Sequence, residues 1–290
     1  MTVTPPVIPV LDSIENLGGR HRAWLVDIWG VMHNGRRAFP HAVAATQAFR
    51  AQGGIVVLLS NSPRPSESAQ AQLRGLGVPD DAYDATVTSG DLTRHELGKH
   101  EGARVFHLGP ERDLSIFDGL DVVLVGPGEA ELVVCSGLFD DETETPDDYA
   151  DLLRDLAARS LPMICANPDH LVERGHQLIY CAGALAAAYE REGGSVIYAG
   201  KPYAPIYELA LEIIDRLAGE NVAKDAILAI GDGVNTDIAG AADAGIDSIF
   251  VASGLHVPGG AEEELDRDHL AELFAHAKRR PLGAIRALTW

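Results

Sequence analysis

The chain has 290 residues, 46% of them hydrophobic, enough for one large core or two moderate ones and for two domains. Its 43 acidic against 23 basic residues give a formal net charge of -20, which disfavours nucleic acid and anionic membrane as partners because such surfaces repel it. Cys135, Cys165 and Cys181 are dispersed without a C-x-x-C spacing, so they point to neither a disulfide framework nor a zinc site, and no basic leader or long apolar window is present; the expectation is a cytoplasmic protein.

In chain order, the apolar run Trp24-Leu25-Val26 leads into Asp27 and the turn Ile28-Trp29-Gly30-Val31. This predicts a short strand over 25–28 that surfaces a carboxylate at its end. A helix follows over 41–52, with Ala42, Val43, Ala45 and Phe49 among its apolar residues and Gly53-Gly54 as its stop. The run Ile55-Val56-Val57-Leu58-Leu59 is apolar on both faces, as a parallel strand covered by helices is, and it ends in Ser60-Asn61-Ser62. A further helix is predicted over 67–74.

The middle has its own strands, over 104–108 and 122–125, a further α/β-like run at 163–166, and an acidic loop over 140–144 that reads as solvated surface. After it the sheet pattern resumes. A helix starting at Pro202 is expected to bury Ile206, Leu209, Ala210, Ile213 and Leu217, and is followed by a strand over 226–230, a loop over 232–237, a helix over 238–244 stopped by Gly245, and a strand over 248–251. Such alternation predicts an α/β fold with a doubly wound parallel sheet, built from residues 1–84 and 196–290, with an α/β domain inserted over 85–195. Functional groups in such sheets gather at the carboxyl ends of the strands, where Asp27, Ser60 and Asp232 are expected.

The segment Gly231-Asp232-Gly233-Val234-Asn235-Thr236-Asp237 sets two carboxylates five residues apart among glycines, a spacing that can aim both at one cation. It lacks the alternating oxygen ligands and terminal glutamate of a calcium loop, and no G-x-G-x-x-G dinucleotide motif occurs here or at Gly126-Pro127-Gly128. Taken alone, Asp232 and Asp237 are equally readable as turn and cap residues. Ser60-Asn61-Ser62, before a helix, offers hydroxyls, an amide and backbone N–H groups suited to a phosphate, and Lys201 stands between a glycine and a proline where it can neutralise a phosphoryl group.

With these four segments in this order, the chain resembles the haloacid dehalogenase-like hydrolase superfamily, in the class IIA subgroup of phosphatases. Its motifs appear as Asp27-Ile28-Trp29-Gly30-Val31, Leu59-Ser60-Asn61-Ser62, Gly200-Lys201-Pro202 and Gly231–Asp237, and the insertion lies where the subgroup carries its cap. Ala166-Asn167-Pro168-Asp169 looks like the cap's substrate-facing loop, with His170 next to it. The resemblance implies a Rossmann-like core, a cap able to form a homodimer, and Mg2+-dependent hydrolysis of a small phosphorylated metabolite through an aspartyl-phosphate. It implies Asp27 as nucleophile and metal ligand, Asp232 and the Trp29 backbone carbonyl as further metal ligands, and Ser60, Asn61 and Ser62 as phosphate binders. By the same resemblance Lys201 would steady Asp27 and the transferring group, and Asp237, Gly231 and Asn235 would support the site.

Trp29 departs from the pattern. The family's phosphatases usually carry a second aspartate there, which protonates the leaving group and then activates water; tryptophan does neither but keeps the carbonyl. Three readings stay open: a substrate with a good leaving group, another acid such as His33 or His170, or a protein that binds a phosphorylated ligand without turning it over. A dehalogenase is disfavoured, since it has no use for Asp232 and Asp237 as a metal cage.

Overall fold

The computed structural model describes residues 8–174, 177–252 and 265–290. They form two compact units: one from the described residues up to Ser60, Ala71–Val87 and the described residues from Tyr207 onward, the other from Asn61–Gln70 and Thr88–Ile206. The strands, in chain order, are β1 (Ala23–Asp27), β2 (Ile55–Ser60), β3 (Ala85–Thr88), β4 (Ala103–Leu108), β5 (Val122–Leu124), β6 (Leu132–Cys135) and β7 (Pro162–Cys165). They continue with β8 (Leu171–Arg174), β9 (Gln177–Tyr180), β10 (Ser195–Tyr198), β11 (Ile227–Gly231), β12 (Asp247–Val251) and β13 (Gly283–Ile285).

The first unit is built on a six-stranded sheet of order β13-β12-β11-β1-β2-β3. The pairings of β1 with β2 and β11, of β11 with β12 and of β12 with β13 are parallel. Every residue of β1 is buried, which is why the run is apolar on both faces: each face needs its own cover. One face packs Trp24, Val26, Val56, Leu58, Leu228 and Ile230 against Ala42, Ala45 and Phe49 of the helix Pro40–Ala51. Trp24 stacks on Phe49 with ring centroids 4.0 Å apart. The chain steps from β1 to β2 and β3 on one side, and from β11 to β12 and β13 on the other. The crevice beside β1 is therefore the topological switch point, the usual ligand position in an open α/β sheet. Asp27 and Ser60 close β1 and β2 there, and Asp232 follows β11.

The second unit has a five-stranded parallel sheet of order β10-β7-β6-β4-β5 and a small antiparallel pair, β8-β9. Leu153 and Leu156 of the helix Ala150–Ala158 and Leu185 and Tyr189 of the helix Ala182–Arg191 pack with Val133, Cys135 and Met163 of β6 and β7. Burial raises the thiol pKa of all three cysteines. Among the described residues, no helix is long and apolar enough to cross a membrane.

Four sequence expectations are corrected. The first strand covers Ala23–Asp27 rather than 25–28, because Ala23 already pairs with Ile55 and Ile227 and the Ile28 carbonyl instead accepts from the N–H groups of Met32 and His33 in the turn. Residues Val234–Ile238 form a π-helical turn, not a loop, closed by Ile238 N–H donating to the Gly233 carbonyl at 3.0 Å. The helix after Pro202 spans Ala204–Ala218 and buries Ile206, Tyr207, Ala210 and Ile214, whereas Leu217 is 46% exposed. Finally, Asp140 and Glu142 of the acidic loop are exposed, but Asp141 is held by Arg112 and Arg174, the latter at 2.8 Å, and these guanidinium groups hold its carboxyl below the usual range.

Candidate active site

Within the first unit, Asp27, Asp232 and Asp237 converge so that one oxygen from each lies within 4.8 Å of the others. Asp27 and Asp237 are each 6% exposed. Three carboxylates drawn together in a partly buried crevice repel one another unless a cation lies among them. Oxygens about 2 Å from a shared ion stand roughly 3 to 4 Å apart, and an all-carboxylate set gathered within 4.8 Å is compatible with a small, hard divalent cation, which oxygen donors of this kind suit.

Glycines bring the backbone close enough to hold that geometry. At Gly30, whose φ is +88°, a Cβ would lie 2.1 Å from Asp232 Oδ2, so the peptide after Trp29 runs directly beside the Asp232 carboxylate. A Cβ at Gly231 would lie 2.2 Å from Asp237 Cγ. The Asp237 carboxylate accepts from Gly233 N–H at 3.0 Å, which ties the two ends of the Asp232 loop together. Tyr207, buried in the helix Ala204–Ala218, places its hydroxyl 3.3 Å from the carbonyls of both Thr236 and Asp237 and so braces the π turn from below. The sequence motifs contain Gly30 and Thr236 but give neither of them a role, and Tyr207 lies outside them. A glycine three residues after an aspartate and an aromatic in an apolar helix carry little signal unless their distant contacts are known. Asn235 is exposed.

Ser60 is 6% exposed at the end of β2, one residue beyond the pairing of Asp27 with Leu59. In the second unit, Ser62 Oγ accepts from Arg64 N–H at 3.3 Å. Asn61 and Lys201, 4% and 3% exposed, are joined through the Asn61 amide, which also reaches Asp169. Asn167 Oδ1 accepts from Asp169 N–H at 3.0 Å and shapes the loop, while His170 is exposed.

The Trp29 ring folds back on its own turn. It meets His33 edge-on at 5.3 Å between centroids, and its Cη2 would lie 2.5 Å from a Cβ at Gly35, which has φ +79°. His33, a loop histidine by sequence, is only 2% exposed, and burial lowers its pKa to about 4. Its Nδ1 accepts from Gly35 N–H at 3.0 Å, which leaves Nε2 as the protonated nitrogen. At neutral pH the ring is uncharged, a hydrogen-bond donor rather than a reservoir of a labile proton. The folded pKa lies below the unfolded value of 6.5, so the unfolded chain takes up a proton first as pH falls. Stability from this group is complete above pH 6.5 and is lost as pH drops toward 4, by at most about 3 kcal/mol. His33→Asn, whose Oδ1 keeps the acceptor for Gly35 N–H, should flatten the fall in melting temperature between pH 6.5 and 4; an unchanged profile would show that other groups set the acid limit.

Comparison with known proteins follows the same outline. A family model described as haloacid dehalogenase-like hydrolase matches residues 24–123, and a second, HAD-hydrolase-like, matches residues 198–277. The crystal structure of a hydrolase of the haloacid dehalogenase-like family from Brucella suis 1330 is 47% identical, covers 96% of this chain and 99% of its own, and superposes with a TM-score of 0.85. The ribonucleotide monophosphatase NagD of Escherichia coli K12 is 28% identical over 80% of this chain and 87% of its own length. The 5'-nucleotidase YutF of Bacillus subtilis 168 is 25% identical over 93% and 96%.

Proposed function

Because the chain belongs to the haloacid dehalogenase-like hydrolases, in their phosphatase-like class IIA subgroup, we propose that it is an Mg2+-dependent phosphohydrolase of small phosphorylated metabolites. The observation that carries the reading is the convergence of Asp27, Asp232 and Asp237 at the sheet's switch point. The names of two relatives, a ribonucleotide monophosphatase and a 5'-nucleotidase, support phosphate monoesters as the substrate class.

In this reading Asp27, Asp232 and the Trp29 carbonyl hold the ion, with Asp237 as a neighbouring carboxylate. When bound, Mg2+ offsets the charge that accumulates when a carboxylate meets a phosphate dianion. Asp27 attacks phosphorus and forms an aspartyl-phosphate as the ester oxygen departs, and water then attacks that phosphorus and returns Asp27 as a carboxylate. Ser60 and Ser62 donate to the phosphoryl oxygens, and Lys201 neutralises charge on the group in transit. Nothing at position 29 gives a proton to the leaving oxygen, so esters of acidic alcohols or phenols, acyl phosphates and anhydrides are the favoured substrates.

A panel of phosphate esters assayed with Mg2+ and with chelator tests the reading. Chelation should stop release, Mg2+ should restore it, and Asp232→Asn should lower it by on the order of 10²-fold or more while weakening Mg2+-induced thermal stabilisation. Release that is indifferent to both would sink it. Trp29 supports a second reading, a protein that binds phosphorylated ligands without hydrolysing them; thermal stabilisation by the same esters with no phosphate released from any would favour it.

A further inference from the structure

Asn61 follows the phosphate-binding serine in sequence, and its motif position suggests another phosphate contact. Its side chain is spent elsewhere. Oδ1 accepts from Lys201 N–H at 2.7 Å and from Ser89 Oγ at 3.4 Å, while Nδ2 donates to the Lys201 carbonyl at 3.1 Å and to Asp169 Oδ1 at 2.8 Å. Two acceptor sites and two N–H bonds are the whole capacity of an amide. We propose that Asn61 is a positioning residue, clamping the main chain of Lys201 on both its polar groups, with Asp169 fixing which way the amide points. This rests on the phosphohydrolase reading, in which Lys201 acts on the transferring phosphoryl group.

The orientation has one solution. Flipping the amide would set its oxygen against the Asp169 carboxylate and the Lys201 carbonyl, and its NH2 against the Lys201 N–H, so three of the four bonds would become repulsive contacts, and only the Ser89 hydroxyl, which can accept as well as donate, would keep its bond. The chain entering Lys201 is equally confined. A Cβ at Gly200, whose φ is +147°, would lie 2.2 Å from Ser89 Oγ, 2.6 Å from Asn61 Oδ1 and 2.8 Å from Pro168 Cδ. The loop Ala166–Asp169 is anchored in turn, because the Asp169 carbonyl accepts from Gly183 N–H at 3.1 Å at the start of the helix Ala182–Arg191. Asn61 thereby makes the placement of the lysine depend on the loop that the family resemblance assigns to substrate. A displacement of about 1 Å at a reacting centre costs on the order of 10²-fold in rate, so a clamp acting only on the backbone has catalytic weight.

Steady-state kinetics on an aryl phosphate with Mg2+ separates clamp from ligand. Asn61→Ala should lower kcat by about 10- to 100-fold with KM within roughly 3-fold, because the lysine is misplaced while the phosphate keeps its ligands. Asn61→Asp should be worse, since its carboxylate donates to neither Asp169 nor the Lys201 carbonyl. Adding Asp169→Asn should raise the kcat of Asn61→Asp by about 10-fold by re-forming the pair with its polarity reversed, although Asp169→Asn alone does not raise the kcat of the wild-type protein. A raised KM with unchanged kcat in Asn61→Ala, or no recovery in the double variant, overturns the proposal. Turnover that survives Asp27→Asn, or no turnover at all, is instead a failure of the phosphohydrolase reading. The clamp is then judged by amide hydrogen exchange: exchange at Lys201 should quicken by about 10-fold in Asn61→Ala, and unchanged exchange overturns it.

Discussion

Asp27→Asn should abolish phosphate release, lowering kcat by on the order of 10⁴-fold or more, and should weaken the thermal stabilisation that Mg2+ confers. The amide has the shape of the carboxylate but does not displace an alkoxide from phosphorus, and its oxygen is a poorer ligand for a divalent cation. The pairing of Ala23, Trp24, Leu25 and Val26 with β2 and β11 does not involve the Asp27 side chain, and the substitution removes one of three mutually repelling carboxylates. The gain in melting temperature on adding Mg2+, measured against the same variant in chelator, should therefore shrink. Continuous phosphate release and differential scanning calorimetry check both halves. Release near the wild-type rate would remove Asp27 from the chemistry altogether.

Trp29→Asp should restore the missing acid and base, and its effect should depend on the leaving group. General acid–base catalysis contributes typically about 10²- to 10⁴-fold. An alkyl phosphate, whose leaving alkoxide needs a proton, should gain within that range, and a nitrophenyl phosphate by less than about 10-fold, since its leaving phenolate needs little assistance. The substitution also removes a ring that packs on His33 and Gly35, so some stability is lost with it. For that reason the quantity to read is the ratio of kcat for the alkyl to the aryl ester, which a general loosening of the turn leaves unmoved. A ratio equal to that of the wild-type protein would mean that the proton comes from another group.

Much of the core was legible in the residues because its signals are local. Apolar runs on both faces mark covered parallel strands, and the segments ending at Asp27, Ser60 and Gly231 are adjacent strands of one sheet. The boundaries moved by one or two residues where pairing partners, not propensity, decide where a strand stops. The buried face of the helix Ala204–Ala218 takes in Tyr207 and leaves Leu217 exposed, and apolar spacing does not show this because the Tyr207 hydroxyl is matched by two carbonyls in a turn 29 and 30 residues later. The same holds for Gly30 against Asp232, and for Asn61, whose partner Lys201 lies 140 residues away. Spacing suggested that Asp232 and Asp237 could share a cation, but that Asp27 joins them follows from β1 and β11 being neighbours. His33 was legible as a residue close to Asp27 in the chain and not as a buried, neutral ring, since its burial comes from how the turn closes over it.

The central claim is that Asp27 carries the phosphoryl group during turnover, and trapping the group tests it most directly. With no residue at position 29 to activate water, breakdown of the aspartyl-phosphate should be slowed and the adduct should accumulate. Acid quenching during hydrolysis of a nitrophenyl phosphate in Mg2+, followed by peptide mass spectrometry, should find a hydroxylamine-sensitive phosphate on the peptide containing Asp27 and on no other. Sustained turnover with that peptide unmodified, and with phosphate release retained in Asp27→Asn, would contradict the account.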